Sequence, residues 1–107
     1  MNFNGNWHIY EMEMWDEDYF NMDTQAYIEI RNNRSGSFQF GLVYGDLDGE
    51  VTKTDAKSRF EFTWEGFDEG TPMSGSGWLE LKKNNEIRGL IKIHLGDSSK
   101  FKAKQPD

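Results

Sequence analysis

Large apolar and polar residues alternate along most of this chain, and short polar turns separate the alternating segments. The pattern is clearest at 37–44 and 58–65, where every second residue is large and apolar. Alternation with this period is typical of a β-strand that packs one face against a core. It predicts eight strands, at about 6–14, 24–31, 37–44, 47–53, 57–65, 74–82, 86–95 and 99–104.

The connections between these strands are short and rich in Asn, Gly and Asp. Connections of this length cannot carry a parallel crossover, so consecutive strands should pair antiparallel. They lie at 32–36, 45–46, 48–49, 67–72, 83–85 and 96–98. The acidic segment 16–22 departs from the strand pattern and favours a single helical turn or an ordered loop. We expect one all-β domain over 1–107, with a frayed tail at 105–107.

Eight short antiparallel strands can form a closed or partly open barrel, or a two-sheet sandwich. In a closed barrel the first and last strands are neighbours, which would bring Glu11 and Glu13 to Lys100, Lys102 and Lys104. Opposite charges across paired strands contribute roughly 0.2–1 kcal/mol per pair. The charges therefore favour an eight-stranded antiparallel meander that forms a barrel or a partly open barrel, and the two-sheet sandwich is the alternative.

The first predicted strand can face the core in three ways. Strict alternation that exposes Glu11 and Glu13 turns Trp7 outward. A β-bulge near Tyr10 would let Trp7 face the core while both glutamates stay in water. A third arrangement buries one glutamate against a cation such as Arg59, because an unpaired buried carboxylate is costly. The sequence leaves all three open.

Composition and charge narrow the classes of partner. Sixteen of the 107 residues are aromatic, so rings should fill most of the interior. There is no cysteine, and hence no disulfide or thiol chemistry. The net charge of -7 argues against nucleic acid and anionic membranes as partners. Residues 1–20 show no signal peptide, which predicts a soluble, cytoplasmic protein. Residues 1–30 contain no Lys or Arg, and this acidic segment would steer a basic partner.

Gly5-Asn6-Trp7, on the first predicted strand, resembles the Gly-x-Trp motif of lipocalins and related calycin barrels. The resemblance covers these three residues and the strand count. It implies an eight-stranded barrel around a small apolar ligand, with Trp7 plugging its base. The chain departs from that family in being shorter, in lacking a Thr-Asp-x-x-Tyr motif, and in placing lysines on its last strand where lipocalins have an arginine.

No segment carries a specific catalytic or metal-binding signature. His94 could be oriented by Asp97 and activate a following serine, as nucleophilic catalysis requires. Ordinary turn chemistry at 96–98 explains the same residues. His8 is the other histidine, and the spacing of the two matches no compact zinc motif. The sequence therefore predicts neither a cofactor nor a metal.

The aromatic side chains either form the core or line a ligand cavity, because an eight-stranded barrel can be filled or hold one small ligand. The candidate ligand-binding residues are Tyr10, Met12, Phe40, Phe62, Trp64, Trp78 and His94. The sequence favours a non-enzymatic module that binds a small apolar or aromatic ligand, or a protein partner. The alternatives are a small enzyme that uses His94 and Asp97, and a structural subunit of a homo-oligomer.

Overall fold

A computed structural model describes residues 2–55 and 57–106, which form eight strands and one short helix. The elements in chain order are β1 (Gly5–Met12), α1 (Glu17–Phe20), β2 (Tyr27–Arg31), β3 (Ser35–Phe40), β4 (Val43–Thr54), β5 (Lys57–Asp68), β6 (Thr71–Lys82), β7 (Glu86–Ile93) and β8 (Ser98–Lys104). Each strand pairs antiparallel with the next, as the short connections predict.

The meander closes into a barrel because β8 also pairs with β1. Glu11 lies opposite Lys102 across this seam, and its carboxylate is 3.6 Å from the Lys102 ammonium. The backbone N–H of Lys100 donates to the Glu13 carboxylate at 3.2 Å. One of the charge pairs that favoured closure, Glu11 with Lys102, therefore meets at the seam, and the pairing of β8 with β1 confirms the barrel over the sandwich.

A β-bulge on β1 decides which way that strand faces. Its register against β8 shifts between Ile9 and Glu11. Trp7 and Ile9 are consequently buried, while Glu11 and Tyr10 lie outside. The indole N–H of Trp7 donates to the carbonyl of the buried Phe3 at 2.9 Å, which joins the N-terminal segment to β1. Of the three arrangements open to the sequence, the structure has the bulge.

The interior-facing side chains pack against one another as an aromatic and aliphatic core. The ring of Phe3 lies 5.9 Å from that of Phe60 on β5. Phe38 and Trp64 meet edge to face at 5.0 Å, an arrangement that aromatic pairs favour. Gly45 lies between them, and a Cβ there would approach both rings to 2.7 Å. The expectation that aromatic residues fill the interior is confirmed at these positions.

Gly45 also explains a correction to the predicted turns. The sequence placed a turn at 45–46, but the chain turns at Gly41-Leu42, where Gly41 has φ +59°. Gly45 and Asp46 lie inside β4, with Gly45 opposite Phe38. Glycine is needed there because two rings occupy the space of a side chain, and sequence alone does not separate that role from a turn.

The connection predicted at 48–49 is also wrong, because Asp48 and Gly49 pair with β5 inside β4. The other connections differ less from the prediction. The turn predicted at 67–72 narrows to Glu69-Gly70, because β5 and β6 continue to Asp68 and Thr71. Asn84 and Asn85 both have positive φ, as a tight hairpin requires. The helical turn predicted within 16–22 is α1, and Asp16 caps it by accepting from the Tyr19 N–H.

The C-terminal residues predicted to fray are partly held in place. The backbone N–H of Gln105 donates to the Asn85 carbonyl at 3.0 Å. Its side-chain amide donates to the Asn4 carbonyl at 3.2 Å. Position 107 lies outside the described residues. Gln105 therefore joins the β6–β7 hairpin to the N-terminal segment.

Candidate binding surface

The seven candidate ligand-binding residues do not converge on one site. Four of them lie in the barrel interior with at most 7% of their surface exposed: Met12, Phe40, Phe62 and Trp64. The other three lie outside the core: Tyr10, Trp78 and His94. The β1 bulge separates Tyr10 from Met12, alternation on β6 places Trp78 outside, and His94 follows the end of β7.

Tyr10 is held on the outer face by a charged neighbour. Its hydroxyl donates to the Glu86 carboxylate at 2.5 Å. This hydrogen bond, together with partial burial and the negative charges of Glu86 and Glu11, raises the pKa of Tyr10 to about 12. The ammonium of Lys104 lies 5.4 Å from the centre of the ring. These contacts link β1 to β7 and β8 across the closed seam.

The residues of the enzymatic alternative, His94 and Asp97, lie between β7 and β8. His94 is exposed after β7, and its backbone N–H donates to the Ser74 carbonyl at 2.7 Å. Asp97 lies in the next turn, where its carbonyl accepts from the Ile93 N–H. Ser99 is fully buried, and its hydroxyl oxygen accepts from the Met14 N–H at 3.1 Å. The Asp97 contact therefore closes the β7–β8 turn, and the Ser99 contact joins β8 to the segment that follows β1.

Two of the grooves on the outer surface of the described barrel differ in their chemistry. One groove, of about 700 Å³, runs over β4, β5 and β6. Its floor consists of short side chains such as Thr63, Ser74 and Ser76, and its borders include Asp48 and Glu65. The other groove, of about 550 Å³, spans β5 to β8 and reaches β1. The second groove contains a half-buried tryptophan, Trp78, together with Arg59 and Arg88.

We name this second groove the basic groove. Its lining includes five cations and three carboxylates, in a protein whose net charge is -7. The lining residues are Glu11, Glu13, Lys57, Arg59, Trp78, Glu80, Arg88, Gly89, Lys100, Phe101 and Lys102. A local positive surplus on an acidic protein favours an anionic ligand at this place.

A cluster of one aromatic, one carboxylate and two arginines forms the centre of the basic groove. The guanidinium of Arg59 lies 3.9 Å above the ring of Trp78. Its Nε donates to the Glu80 carboxylate at 2.9 Å. The Arg88 Nε and the Lys82 ammonium approach the other oxygen of Glu80 at 4.0 Å and 3.8 Å. Glu80 is thus the anion around which the cations assemble.

The electrostatics of Glu80 follow from this arrangement. Only 7% of the residue is exposed, and burial by itself would raise the pKa of its carboxyl. The hydrogen bond from Arg59 and the charges of Arg59, Lys82 and Lys57 outweigh burial and lower that pKa. Glu80 is therefore ionised at neutral pH and fixes the orientation of Arg59 over Trp78.

Strand geometry explains how the cluster forms and why sequence reasoning missed it. Leu79 points into the core with no exposed surface, so its neighbours Trp78 and Glu80 share the outer face. Glu80 lies opposite Arg88 in the register of β6 and β7. The sequence analysis groups Trp78 with the interior aromatics, but the alternation Trp-Leu-Glu-Leu places Trp78 on the same outer face as Glu80. The contacts with Arg59 on β5 and Arg88 on β7 depend on the register of the paired strands, which one sequence does not fix.

The chain stands apart from known families by sequence. No protein-family model matches it, and no curated protein is recognisably related to it. Within 2–55 and 57–106, no three His, Asp or Glu side chains are arranged to hold a metal ion. None of the helical residues described forms a segment long and apolar enough to cross a membrane.

Proposed function

We propose that this protein is a non-enzymatic binding module that docks an acidic segment of a partner protein in the basic groove. The observation that carries the proposal is the half-buried Trp78 beneath Arg59, with Glu80 holding the guanidinium in place. Tryptophan and arginine dominate the binding energy of protein interfaces when they lie near the centre of a patch. The four other cations of the groove surround this pair.

The interior offers less support for a binding site. The lipocalin resemblance would place a small apolar ligand among the core rings. Phe40 and Phe62 are at most 4% exposed, and each packs 6.0 Å from another phenylalanine ring. The indole N–H of Trp64 donates to the Lys92 carbonyl at 3.1 Å. A ligand inside would have to displace these contacts, whereas the outer groove is open to solvent.

The chemistry of the groove suits carboxylates. Arginine presents several N–H donors in a fixed fork that matches a carboxylate, and lysine adds a mobile positive charge. Because Glu80 and Trp78 already hold Arg59, little conformational entropy is lost when a ligand binds it. The acidic N-terminal segment predicts a basic partner by charge, while the groove favours an acidic one. We therefore assign the acidic partner to the groove.

A defined peptide tests the proposal. The probe is a fluorescein-labelled peptide of glutamate and glycine with one central leucine, and its control carries lysine in place of glutamate. We expect anisotropy to report saturable binding of the glutamate peptide only, weakening as salt increases. Arg88→Glu/Lys102→Glu should weaken binding at least tenfold. Arg31→Glu/Lys53→Glu changes the net charge equally outside the groove and should retain affinity to within about threefold.

Two results would overturn the proposal. One is a glutamate peptide that binds no better than the lysine peptide at low salt. The other is equal loss of binding in the groove variant and in the matched control, which would show that total charge rather than the groove governs binding. Far-UV circular dichroism of both variants checks that the barrel is intact.

A further inference from the structure

We infer that the acidic segment bound by this protein is extended and carries one large apolar side chain, with a carboxylate two residues before it and another two residues after it. The inference rests on the proposed function, because it names the ligand class of the same surface. It is carried by an apolar pair at the border of the basic groove, Trp78 and Leu90, and by the cations around that pair.

Leu90 is an apolar residue on the outer face of β7. Its two neighbours face the core: Ile91 is 1% exposed, and a Cβ on Gly89 would lie 3.0 Å from the Phe101 ring. Leu90 itself is half-buried and lines a groove of about 550 Å³ on the outer surface. Because alternation places Leu90 outside the barrel, packing of the core does not account for an apolar residue at this position.

Leu90 and Trp78 form one apolar patch. They lie directly opposite each other in the register of β6 and β7, and residues paired in this way have neighbouring side chains. Trp78 lines the basic groove as well as the groove of Leu90. The next outward residue on β6 is Ser76, whose short side chain leaves space beside the patch. Since Arg59 covers part of the indole, a ligand side chain would pack against Leu90 and the remaining surface of Trp78.

Cations surround this apolar patch on β7 and β8. Arg88 and Lys92 are the alternate positions on either side of Leu90, and both are exposed. Lys100 lies opposite Leu90 on β8. Among the described residues, no carboxylate forms an ion pair with the ammonium of Lys92 or Lys100. These two cations are therefore available to the carboxylates of a ligand.

The order of cation, apolar residue and cation along β7 sets the spacing of the ligand. Alternate residues of a strand lie about 6.8 Å apart on one face. An extended segment that lies along β7 has the same period, so its alternate side chains meet Arg88, the apolar patch and Lys92 in turn. Such a segment reaches only the nearest side chains of β6 and β8, so the curvature of the barrel does not separate these contacts.

Carboxylates on the other side of Trp78 restrict the direction of the ligand. Glu61 lies opposite Trp78 on β5, and Asp48 and Glu50 line the same groove from β4. These groups repel an acidic segment that crosses the strands from β7 toward β4. A segment that runs along β7 avoids them and keeps its carboxylates near the cations.

Three labelled peptides of equal charge test the inference on the wild-type protein. The first is Glu-Gly-Glu-Gly-Leu-Gly-Glu-Gly-Glu. The second has serine in place of leucine, and the third exchanges the leucine with the glycine before it, which turns the leucine to the opposite side of an extended chain. We expect fluorescence anisotropy to show that the first peptide binds about fivefold or more tightly than the other two, because only it buries leucine against the apolar patch.

Leu90→Ser locates the apolar contact without changing any charge. The preference for the leucine peptide over the serine peptide should fall below about twofold, because half of the patch is lost. Leu95→Ser is the matched control and should keep the preference, because Leu95 is 94% exposed in the turn after β7. A preference that survives Leu90→Ser, or that both variants abolish equally, would overturn the inference. Far-UV circular dichroism checks that both variants retain the barrel.

Lys92→Gln tests the cation at the far end of the ligand. Lys92 lies beyond the lining of the basic groove, so it contributes only if the segment runs along β7. The variant should weaken binding of the first peptide about threefold, whereas Lys53→Gln removes the same charge from β4 and should have less than half that effect. Equal effects of the two variants would overturn the assignment of the ligand to β7.

The remaining outcomes distinguish this inference from the proposed function. If the three peptides bind equally and Arg88→Glu/Lys102→Glu weakens them all, the basic groove binds acidic segments without an apolar contact, and only this inference fails. If no peptide binds, both proposals fail. If the wild type associates with itself in sedimentation and Leu90→Ser makes it monomeric, a second copy covers the patch, which also overturns the inference.

Discussion

The Glu80 cluster gives the sharpest test of how the outer face is held together. Glu80→Gln keeps the shape of the side chain and one acceptor oxygen but removes the charge. Arg59 then loses a charge-assisted hydrogen bond of 2.9 Å, and Arg88 and Lys82 lose their shared counter-ion. The three cations remain close together and repel one another. We therefore expect the variant to fold as the same barrel with lower stability.

The magnitude follows from the burial of the two partners. A hydrogen bond to a charged group contributes about 1.5–3 kcal/mol when it is buried. The Glu80 side chain is 10% exposed but that of Arg59 is 42% exposed, so solvent screening reduces this figure. Glutamine retains part of the bond, which leaves a loss of about 1 kcal/mol. For a domain of this size that loss lowers Tm by about 4–5 °C.

The pH dependence provides the refutation. Since the folded-state pKa of Glu80 lies below its ordinary value of 4.5, the folded protein binds fewer protons than the unfolded chain between these values. The stability from ionised Glu80 is fully present above about pH 4.5 and is lost as pH falls through the lowered pKa. Urea unfolding should show the difference from wild type at pH 7 and its disappearance in acid. A difference independent of pH would refute the reasoning.

A control variant at an exposed glutamate makes that measurement specific. Glu65→Gln removes the same charge from the outer face of β5, opposite Asp46. It should change stability by less than about 0.5 kcal/mol, as most surface substitutions do. An equal loss in both variants would mean that Glu80 contributes only as one of many surface charges.

Two further substitutions test the core and the seam. Gly45→Ala places a methyl group 2.7 Å from the rings of Phe38 and Trp64. Because this overpacks the core, the free energy of unfolding measured in urea should fall by about 1–3 kcal/mol. An unchanged midpoint of the urea unfolding curve would contradict the packing. Glu86→Gln removes the charged acceptor that raises the pKa of Tyr10 to about 12. Alkaline absorbance titration should therefore show the Tyr10 phenol ionising closer to about pH 10, its ordinary value. A titration identical to wild type would contradict that contact.

The architecture was readable from the sequence because alternation and turn chemistry are local properties. The Asn84-Asn85 hairpin needs positive φ at two successive residues, which asparagine tolerates. Once this turn was predicted, the positions of the two strands beside it could be predicted too. The closing seam was also accessible, because Glu11 and Lys102 carry opposite charges on the first and last strands. The bulge next to Glu11 was visible only as a conflict between apolar and charged positions, and the structure resolves it.

The candidate surface was much less accessible. Phe62 points into the core, whereas Trp78 lies on the outer face of the barrel. The apolar Leu79 between Trp78 and Glu80 was the sequence signal for this difference, because it takes the core-facing position on β6. The meeting of Arg59 with Glu80 depends on the register of β5 with β6, which long-range pairing sets. The sequence therefore contains the residues of the basic groove in plain view, but their contacts depend on the pairing of the strands in the barrel.

Strand β6 contributes residues both to the core and to the basic groove. A Cβ at Gly77 would lie 2.5 Å from the Phe62 ring, and one at Gly75 would collide with the Lys92 carbonyl. Small residues inside this strand thus let the rings of β5 fill the barrel, while Trp78 and Glu80 occupy its outer side. Binding groups held on strands over a packed core are positioned more accurately than groups on loops. The tightly packed interior of this barrel therefore fixes the positions of Trp78 and Glu80 on its outer face.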